Sequence, residues 1–148
     1  MLRRYSVITF IVMLANCALI SCTSNDSLTK GAITIKETQT GLASFYGYAF
    51  EGQQTASGET FRSAELVAAH PTYPLGTVAR VTNLEAGGSV QVRIIDRGPT
   101  DENVSEGVII DLSKGAAEKL GMVKKGRVRV RVEVLQWGTD EYKPEKSS

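Results

Sequence analysis

Between Arg127 and Val134 the chain alternates charged and apolar side chains without a break. Val128, Val130, Val132 and Val134 point one way; Arg127, Arg129, Arg131 and Glu133 point the other. Side chains repeat every two residues on a strand and every 3.6 on a helix, so Val128 to Leu135 fits a strand with one dry and one solvated face. Shorter apolar runs precede it. These are Leu42 and Phe45 with Tyr46-Gly47-Tyr48, then Leu66-Val67-Ala68-Ala69, Val78-Ala79-Arg80-Val81, Val90 to Ile95, and Val108-Ile109-Ile110. Tyr73-Pro74-Leu75-Gly76 places Pro and Gly where a tight turn wants them, and Ala86-Gly87-Gly88-Ser89 reads as a hairpin loop. Six short strands and one or two small helices in about 95 residues predict a mainly β, closed barrel, because closure removes exposed strand edges.

One helix can be placed. Ser113 can cap it, Leu112 can staple it, and Ala116, Ala117 and Leu120 form an apolar stripe ending at Gly121. Gly115 weakens it by about 1 kcal/mol, which makes it short and dependent on packing.

The two ends read differently from the middle. Arg3 and Arg4 lead a mostly apolar stretch from Tyr5 to Ile20, too short for a comfortable membrane span. It closes on Leu19-Ile20-Ser21-Cys22, which resembles a bacterial lipobox. Residues 1–22 are therefore expected to be a lipoprotein signal peptide, with Cys22 lipidated and membrane-anchoring. An ordinary secretory signal and an N-terminal span are the alternatives. Thr23 after that cysteine is compatible with sorting to the outer membrane. On this reading Cys17 leaves with the signal and the domain has no free thiol, so it must hold together by its core alone. Residues 23–40 are polar and read as a tether, 41–137 as the domain, and 138–148 as a disordered tail. No internal repeat or second domain is read. With 17 basic and 16 acidic side chains the net charge is +1, which is no footprint for nucleic acid.

Chemistry-bearing residues cluster in the middle. His70, the single histidine, ends the run Leu66 to Ala69 just before Pro71, where a strand hands a side chain to a loop. Upstream lies Thr55-Ala56-Ser57-Gly58-Glu59; downstream come Asp96-Arg97-Gly98-Pro99 and Asp111-Leu112-Ser113. Each has an ordinary structural reading when taken alone. His70 fits a hydrogen-bonding residue at a loop, Asp96 an N–H-accepting turn residue, and Glu59 solvated surface. One His and scattered carboxylates make no recognisable metal-ligand set, and no cofactor is expected.

In order and spacing these segments, with Gly41-Leu42-Ala43-Ser44-Phe45-Tyr46-Gly47, Leu75-Gly76-Thr77 and Val81-Thr82-Asn83, resemble the rare lipoprotein A family, the septal-ring lytic transglycosylases of bacteria. The resemblance covers Gly41 to Leu135. It implies a six-stranded double-psi β-barrel, the fold of the expansin catalytic domain and of barwin. It also implies cleavage of peptidoglycan glycan strands, preferably free of stem peptides, between N-acetylmuramic acid and N-acetylglucosamine, with a 1,6-anhydro sugar as product. The functional residues it implies are Glu59, His70 and Asp96. One group can act as acid and then as base, because the substrate's own C6 hydroxyl replaces water. Asp96 is assigned that work because the double-psi barrels the family resembles use an Asp lining the groove. Glu59 would raise the pKa of Asp96 or stabilise charge on the anomeric carbon, and His70 would hydrogen-bond the sugar or orient a carboxylate. Tyr46 and Tyr73 are assigned to sugar stacking, and Ser57 and Arg97 to substrate binding. Asp111 and Ser113 are expected to be structural, capping the helix and anchoring the barrel.

Two departures stand out. Many family members carry a C-terminal sporulation-related repeat that binds denuded glycan, and this chain ends too soon to hold one. Where the family tends to have Arg before Ile-Ile-Asp-Leu-Ser, this chain has Val108, after a loop from Thr100 to Gly107 carrying Asp101, Glu102 and Glu106 without a basic residue. Three functions follow: a lipid-anchored transglycosylase acting in daughter-cell separation alongside division proteins, a non-catalytic peptidoglycan-binding lipoprotein of expansin type, or a barwin-like inhibitor. The Glu59, His70 and Asp96 constellation favours the first.

Overall fold

The computed structural model describes residues 33–139 and 141. Its strands are β1 Glu37–Phe45, β2 Val67–Ala69, β3 Val78–Asn83, β4 Ser89–Asp96, β5 Val108–Leu112 and β6 Val128–Gln136. They close into a barrel in the order β1-β5-β2-β4-β3-β6, which pairs every one of them on both sides. The pairs β1–β5 and β2–β4 are parallel and the other four antiparallel. Exchanging β1 with β4, β2 with β5 and β3 with β6 returns the same pairs with the same senses. Two interleaved three-stranded halves related in this way form the double-psi β-barrel.

The alternation in β6 does what its period requires. Val128, Val130, Val132 and Val134 enter the core, while Arg129 and Arg131 stay in solvent. The β3–β4 hairpin is built by Asn83, whose Oδ1 accepts from the Glu85 and Ala86 N–H groups while its Nδ2 donates to the Leu120 carbonyl. Gly87 then turns the chain at φ +83°.

The domain is longer at both ends than residues 41–137. β1 begins at Glu37, inside the segment that reads as tether, because Glu37 to Thr40 pair along β6 from Val134 to Arg131. Main-chain ladder bonds need no apolar side chains, so a polar sequence hides this part of the strand. At the other end the Gly138 N–H donates to Thr77 Oγ1 at 3.0 Å. Residues 1–32, with Cys17 and the lipobox cysteine Cys22, lie outside the described residues, as do 140 and 142–148 of the tail.

Two short α-helices and a 3-10 turn at Tyr48–Phe50 complete the fold among the described residues. α1, Asp101–Ser105, occupies the acidic loop before β5. Thr100 caps it, and Asp101 and Glu102 lie in the first turn, where the helix dipole favours negative charge. α2, Lys114–Lys119, is capped by Ser113, whose hydroxyl accepts from the Ala116 N–H, and it lays Ala116, Ala117 and Leu120 on the core. Gly115, costly by propensity, is required by packing: a Cβ there would stand 2.5 Å from the Ala64 carbonyl oxygen. A smaller cluster of Phe61, Val67 and Ile95, with Tyr46 against it, packs apart from the main core.

Candidate active site

Strand register sets out the site. Ala69 of β2 pairs with Asp96 of β4 on one side and with Asp111 of β5 on the other, and Asp111 pairs in turn with Ser44 of β1. One row of the barrel thus reads Asp96, Ala69, Asp111, Ser44. The two aspartates are two strand spacings apart, about 9–10 Å between Cα atoms, with Ala69 as the register position between them. Asp96 reaches this row because the β2–β4 register shifts by one residue: Ala68 faces Ile94 and Ala69 faces Asp96. The extra residue, Ile95, drops into the small cluster, and the bulge re-aims the strand end. Above the row opens a cleft of about 890 Å³ lined by Asp96, Asp111, Ser44 and Tyr46, with Thr100 and Asn103 on the α1 side.

The two carboxyl groups differ in environment. Asp96 is met by donors: the N–H groups of Ala56 (3.0 Å) and Arg97 (2.8 Å) on Oδ1, and the Tyr46 hydroxyl (3.5 Å) on Oδ2. Asp111 is only 9% exposed. Burial pushes its pKa up, against the hydrogen bond from the Ser44 hydroxyl and the charge of Arg127, which act in the opposite direction. Tyr46 is kept protonated by burial first and then by the negative charges of Asp96 and Asp111. Gly98 permits this convergence. Its φ is +150°, and a Cβ there would stand 3.4 Å from the Tyr46 hydroxyl and 3.6 Å from Asp111 Oδ2.

Glu59 reaches Asp96 indirectly. Its carboxylate forks onto the Arg93 guanidinium of β4, with Nη2 to Oε2 at 3.0 Å, and accepts from the Ser57 hydroxyl at 3.1 Å. Thr55 N–H donates to the Glu59 carbonyl and Ser57 N–H to the Ile95 carbonyl, so the loop is pinned over the end of β4. The Ala56 N–H is thereby held on Asp96. Neither Glu59 nor Ser57 lines the cleft. The sequence gives Glu59 the task of raising the Asp96 pKa or stabilising charge, and Ser57 that of binding substrate; their place in the structure is that of a brace for the Asp96 carboxylate.

His70, expected to hydrogen-bond the sugar or orient a carboxylate, and Tyr73, expected to stack on sugar, are only 2% and 3% exposed, which leaves neither ring open to a sugar. The turn after β2 folds back under β1. His70 Nδ1 accepts from the Thr72 and Tyr73 N–H groups at 3.2 and 3.0 Å, which puts the ring proton on Nε2, facing Gln39 Oε1 at 3.3 Å. Burial pushes the His70 pKa down to about 4; the Arg97 charge adds to the effect and Glu37 opposes it. The imidazole stacks on Tyr73 at 3.6 Å, and the Tyr73 hydroxyl donates to Glu37 at 3.1 Å. Both residues serve the site through the main chain. His70 N–H donates to the Asp96 carbonyl, and the Tyr73 carbonyl accepts from Arg97 Nη1 at 2.7 Å. Arg97, so held, lines the cleft.

The sequence missed Asp111 as a cleft residue, because Asp-Leu-Ser ahead of a helix also reads as a capping segment. Ser113 does cap α2, but Asp111 faces the cleft. It also missed the cation opposite the acidic loop. Arg127, just ahead of β6, pairs with Glu106 and donates to Asn103 Oδ1 at 2.6 Å, tying α1 to the cleft wall. Val108 is buried in the core, so the departure there takes no charge from the cleft. Tyr46 and Phe50 contribute rings to the cleft, and Phe50 is 45% exposed. Among the described residues, no three His, Cys, Asp or Glu side chains gather in a metal-binding arrangement.

Fold and site together define a double-psi β-barrel protein with a carboxyl pair on the floor of an open cleft. The chain belongs to the lytic transglycolase family, whose model matches residues 38–132. It is 45% identical over 107 residues to the endolytic peptidoglycan transglycosylase RlpA of Campylobacter jejuni, covering 72% of this chain and 38% of that protein. With the protein of the same name from Pseudomonas aeruginosa it shares 47% over 107 residues (70% of this chain, 30% of that one). With that of Neisseria meningitidis serogroup B it shares 48% over 98 residues (66% and 39%). The chain thus spans between 30% and 39% of the length of these relatives. Among solved structures it resembles the Streptomyces papain inhibitor, with TM-score 0.55 and 23% identity over 71% of this chain and all of that one. It also resembles the apo expansin of Clavibacter michiganensis, with TM-score 0.53 and 20% identity over 68% of this chain and 51% of that one. These two likenesses carry the fold alone.

Proposed function

We propose that the chain is an endolytic peptidoglycan transglycosylase, cleaving bonds between N-acetylmuramic acid and N-acetylglucosamine in stem-free strands and leaving 1,6-anhydro ends. The observation that carries this reading is the pair Asp96 and Asp111, set in one row across Ala69 with Asp111 desolvated. The names of the relatives support the substrate.

The geometry divides between two groups the work that the sequence gives to Asp96 alone. Burial favours a proton on Asp111, so Asp111 donates to the leaving glycosidic oxygen as the bond to the anomeric carbon breaks. Asp96, held by donors only, faces the positive charge that develops on the sugar. The C6 hydroxyl of the muramic sugar attacks the anomeric carbon and returns its proton to Asp111. The catalyst is regenerated and no water is consumed. Tyr46, kept protonated by burial and by the charges of both carboxyls, donates to Asp96 Oδ2 at 3.5 Å.

Digestion of stem-free strands, with mass spectrometry of the products, tests the reaction. Anhydro-muramic ends that disappear with Asp96→Asn are expected. Intact strands that the protein nevertheless retains in a pull-down would leave a glycan-binding lipoprotein, for which exposed Phe50 offers a stacking face. A lipid anchor on Cys22, facing the periplasm from the outer membrane, completes the proposal. It is supported by Leu19-Ile20-Ser21-Cys22 and is tested by the mass of the mature N-terminus.

A further inference from the structure

Beside the main cleft lies a second hollow of about 110 Å³, and Tyr46, Phe50 and Asp96 belong to both. On the same measure it is about an eighth of the main cleft, the scale of a ring substituent rather than of a run of sugars. One side is aromatic: the Tyr46 ring meets Phe50 at 5.0 Å and Phe61 at 5.2 Å. The other side is polar, formed by Gln53, Gln54 and Thr55 with Asp96.

The polar side offers acceptors. Gln53 Nε2 donates to the Ala49 carbonyl at 2.7 Å, and Gln54 Nε2 donates to the Gly58 carbonyl at 3.4 Å. A main-chain carbonyl demands a donor, so the orientation of both amides is fixed and each keeps its own carbonyl oxygen for another partner. Thr55 Oγ1 is committed to the Glu59 carbonyl and shared with Ser57. A pocket of this size, with an apolar wall and an acceptor-rich wall, matches a group that carries one N–H donor and one methyl. A hydroxyl supplies the donor but leaves the aromatic wall uncovered.

We propose that this hollow seats the 2-acetamido group of the sugar bound against Asp96, so that the site selects N-acetylated hexosamine strands over polymers with a 2-hydroxyl. The acetamido N–H reaches the glutamine carbonyls and its methyl lies on the rings of Phe50 and Phe61. This rests on the proposed function only for placing a sugar at Asp96.

The test is calorimetric binding of the full chain to two neutral hexamers, one of N-acetylglucosamine and one of glucose (cellohexaose). Preference for the acetylated hexamer by about tenfold is expected. Gln53→Leu and Gln54→Leu, both at exposed positions, should each cut that preference by about threefold or more and leave cellohexaose binding unchanged. Equal binding of the two hexamers overturns the proposal, as does a preference that survives in both variants. Binding is read without bond cleavage. A chain that prefers the acetylated hexamer yet leaves glycan strands intact therefore upholds the pocket and defeats the transglycosylase reading.

Discussion

Asp96 and Asp111 are register partners of the same residue, Ala69, one on either side of strand β2. The shortest strand of the barrel thereby fixes the spacing of its two cleft carboxyls, and a bulge at Ile95 brings the first of them into line. Asp111 is packed close and Asp96 is served by N–H donors, so the same side chain at two positions meets two unequal environments.

The burial of Asp111 has a consequence for stability. Its folded pKa lies above its usual 3.8, so between those two values the folded chain binds more protons than the unfolded one. Its contribution is full below 3.8 and is lost as pH rises through the folded pKa. Asp111→Asn should remove this slope and match or exceed wild-type stability at pH 7. Thermal midpoints of both proteins from pH 4 to 8 check it; a variant that is less stable at every pH contradicts it.

His70 titrates in the opposite sense. Its pKa falls from 6.5 in the unfolded chain to about 4 when folded, so its contribution is full above 6.5 and is lost as pH drops toward 4. The loss is on the order of 3 kcal/mol. Because the chain has one histidine, a single imidazole proton resonance reports it directly. A midpoint near 4 is expected, whereas a solvent-facing catalytic histidine would titrate near 6.5.

Glu59 and Arg93 should behave as one unit. If they act by bracing the loop that puts the Ala56 N–H on Asp96, then Glu59→Gln and Arg93→Met lower turnover alike, by about tenfold, and the double variant is no worse than either. A Glu59 that touched the sugar directly would give additive losses and a mild Arg93→Met.

Gly115→Ala separates propensity from packing. Propensity alone makes alanine better in a helix by about 1 kcal/mol. Contact with the Ala64 carbonyl at 2.5 Å reverses the sign. A net loss of about 1–3 kcal/mol is expected in denaturant unfolding. A gain in stability would show that the segment at Ala64 yields; the Ser63 carbonyl beside it accepts the Gly115 N–H, which argues against such movement.

What could be read from the sequence was local. The alternation of β6, the hairpin at Ala86 to Ser89 and the Ser113 cap each rest on neighbours within a few residues, and each appears where its period or turn chemistry puts it. The start of β1 could not be read, because polar Glu37 to Thr40 become a strand only through β6. Nor could α1, which has no apolar stripe and is held by Thr100 and by Arg127 from beyond α2. The site residues Glu59, His70 and Asp96 stand out as motifs, but their partners Arg93, Gln39 and Ala56 lie far from them along the chain. Asp111 was legible as a residue and not as a cleft residue, since only its register with Ala69 places it opposite Asp96.

The most direct test of the central claim compares the rate of anhydro-end formation from stem-free strands by wild type, Asp96→Asn and Asp111→Asn, each shown to be folded. If two carboxyls divide the work, each variant loses at least about a hundredfold, the scale of a missing acid and base for Asp111 and of lost charge stabilisation for Asp96. An Asp111→Asn variant that runs at the wild-type rate while Asp96→Asn is inactive would contradict the account and return the whole proton transfer to Asp96.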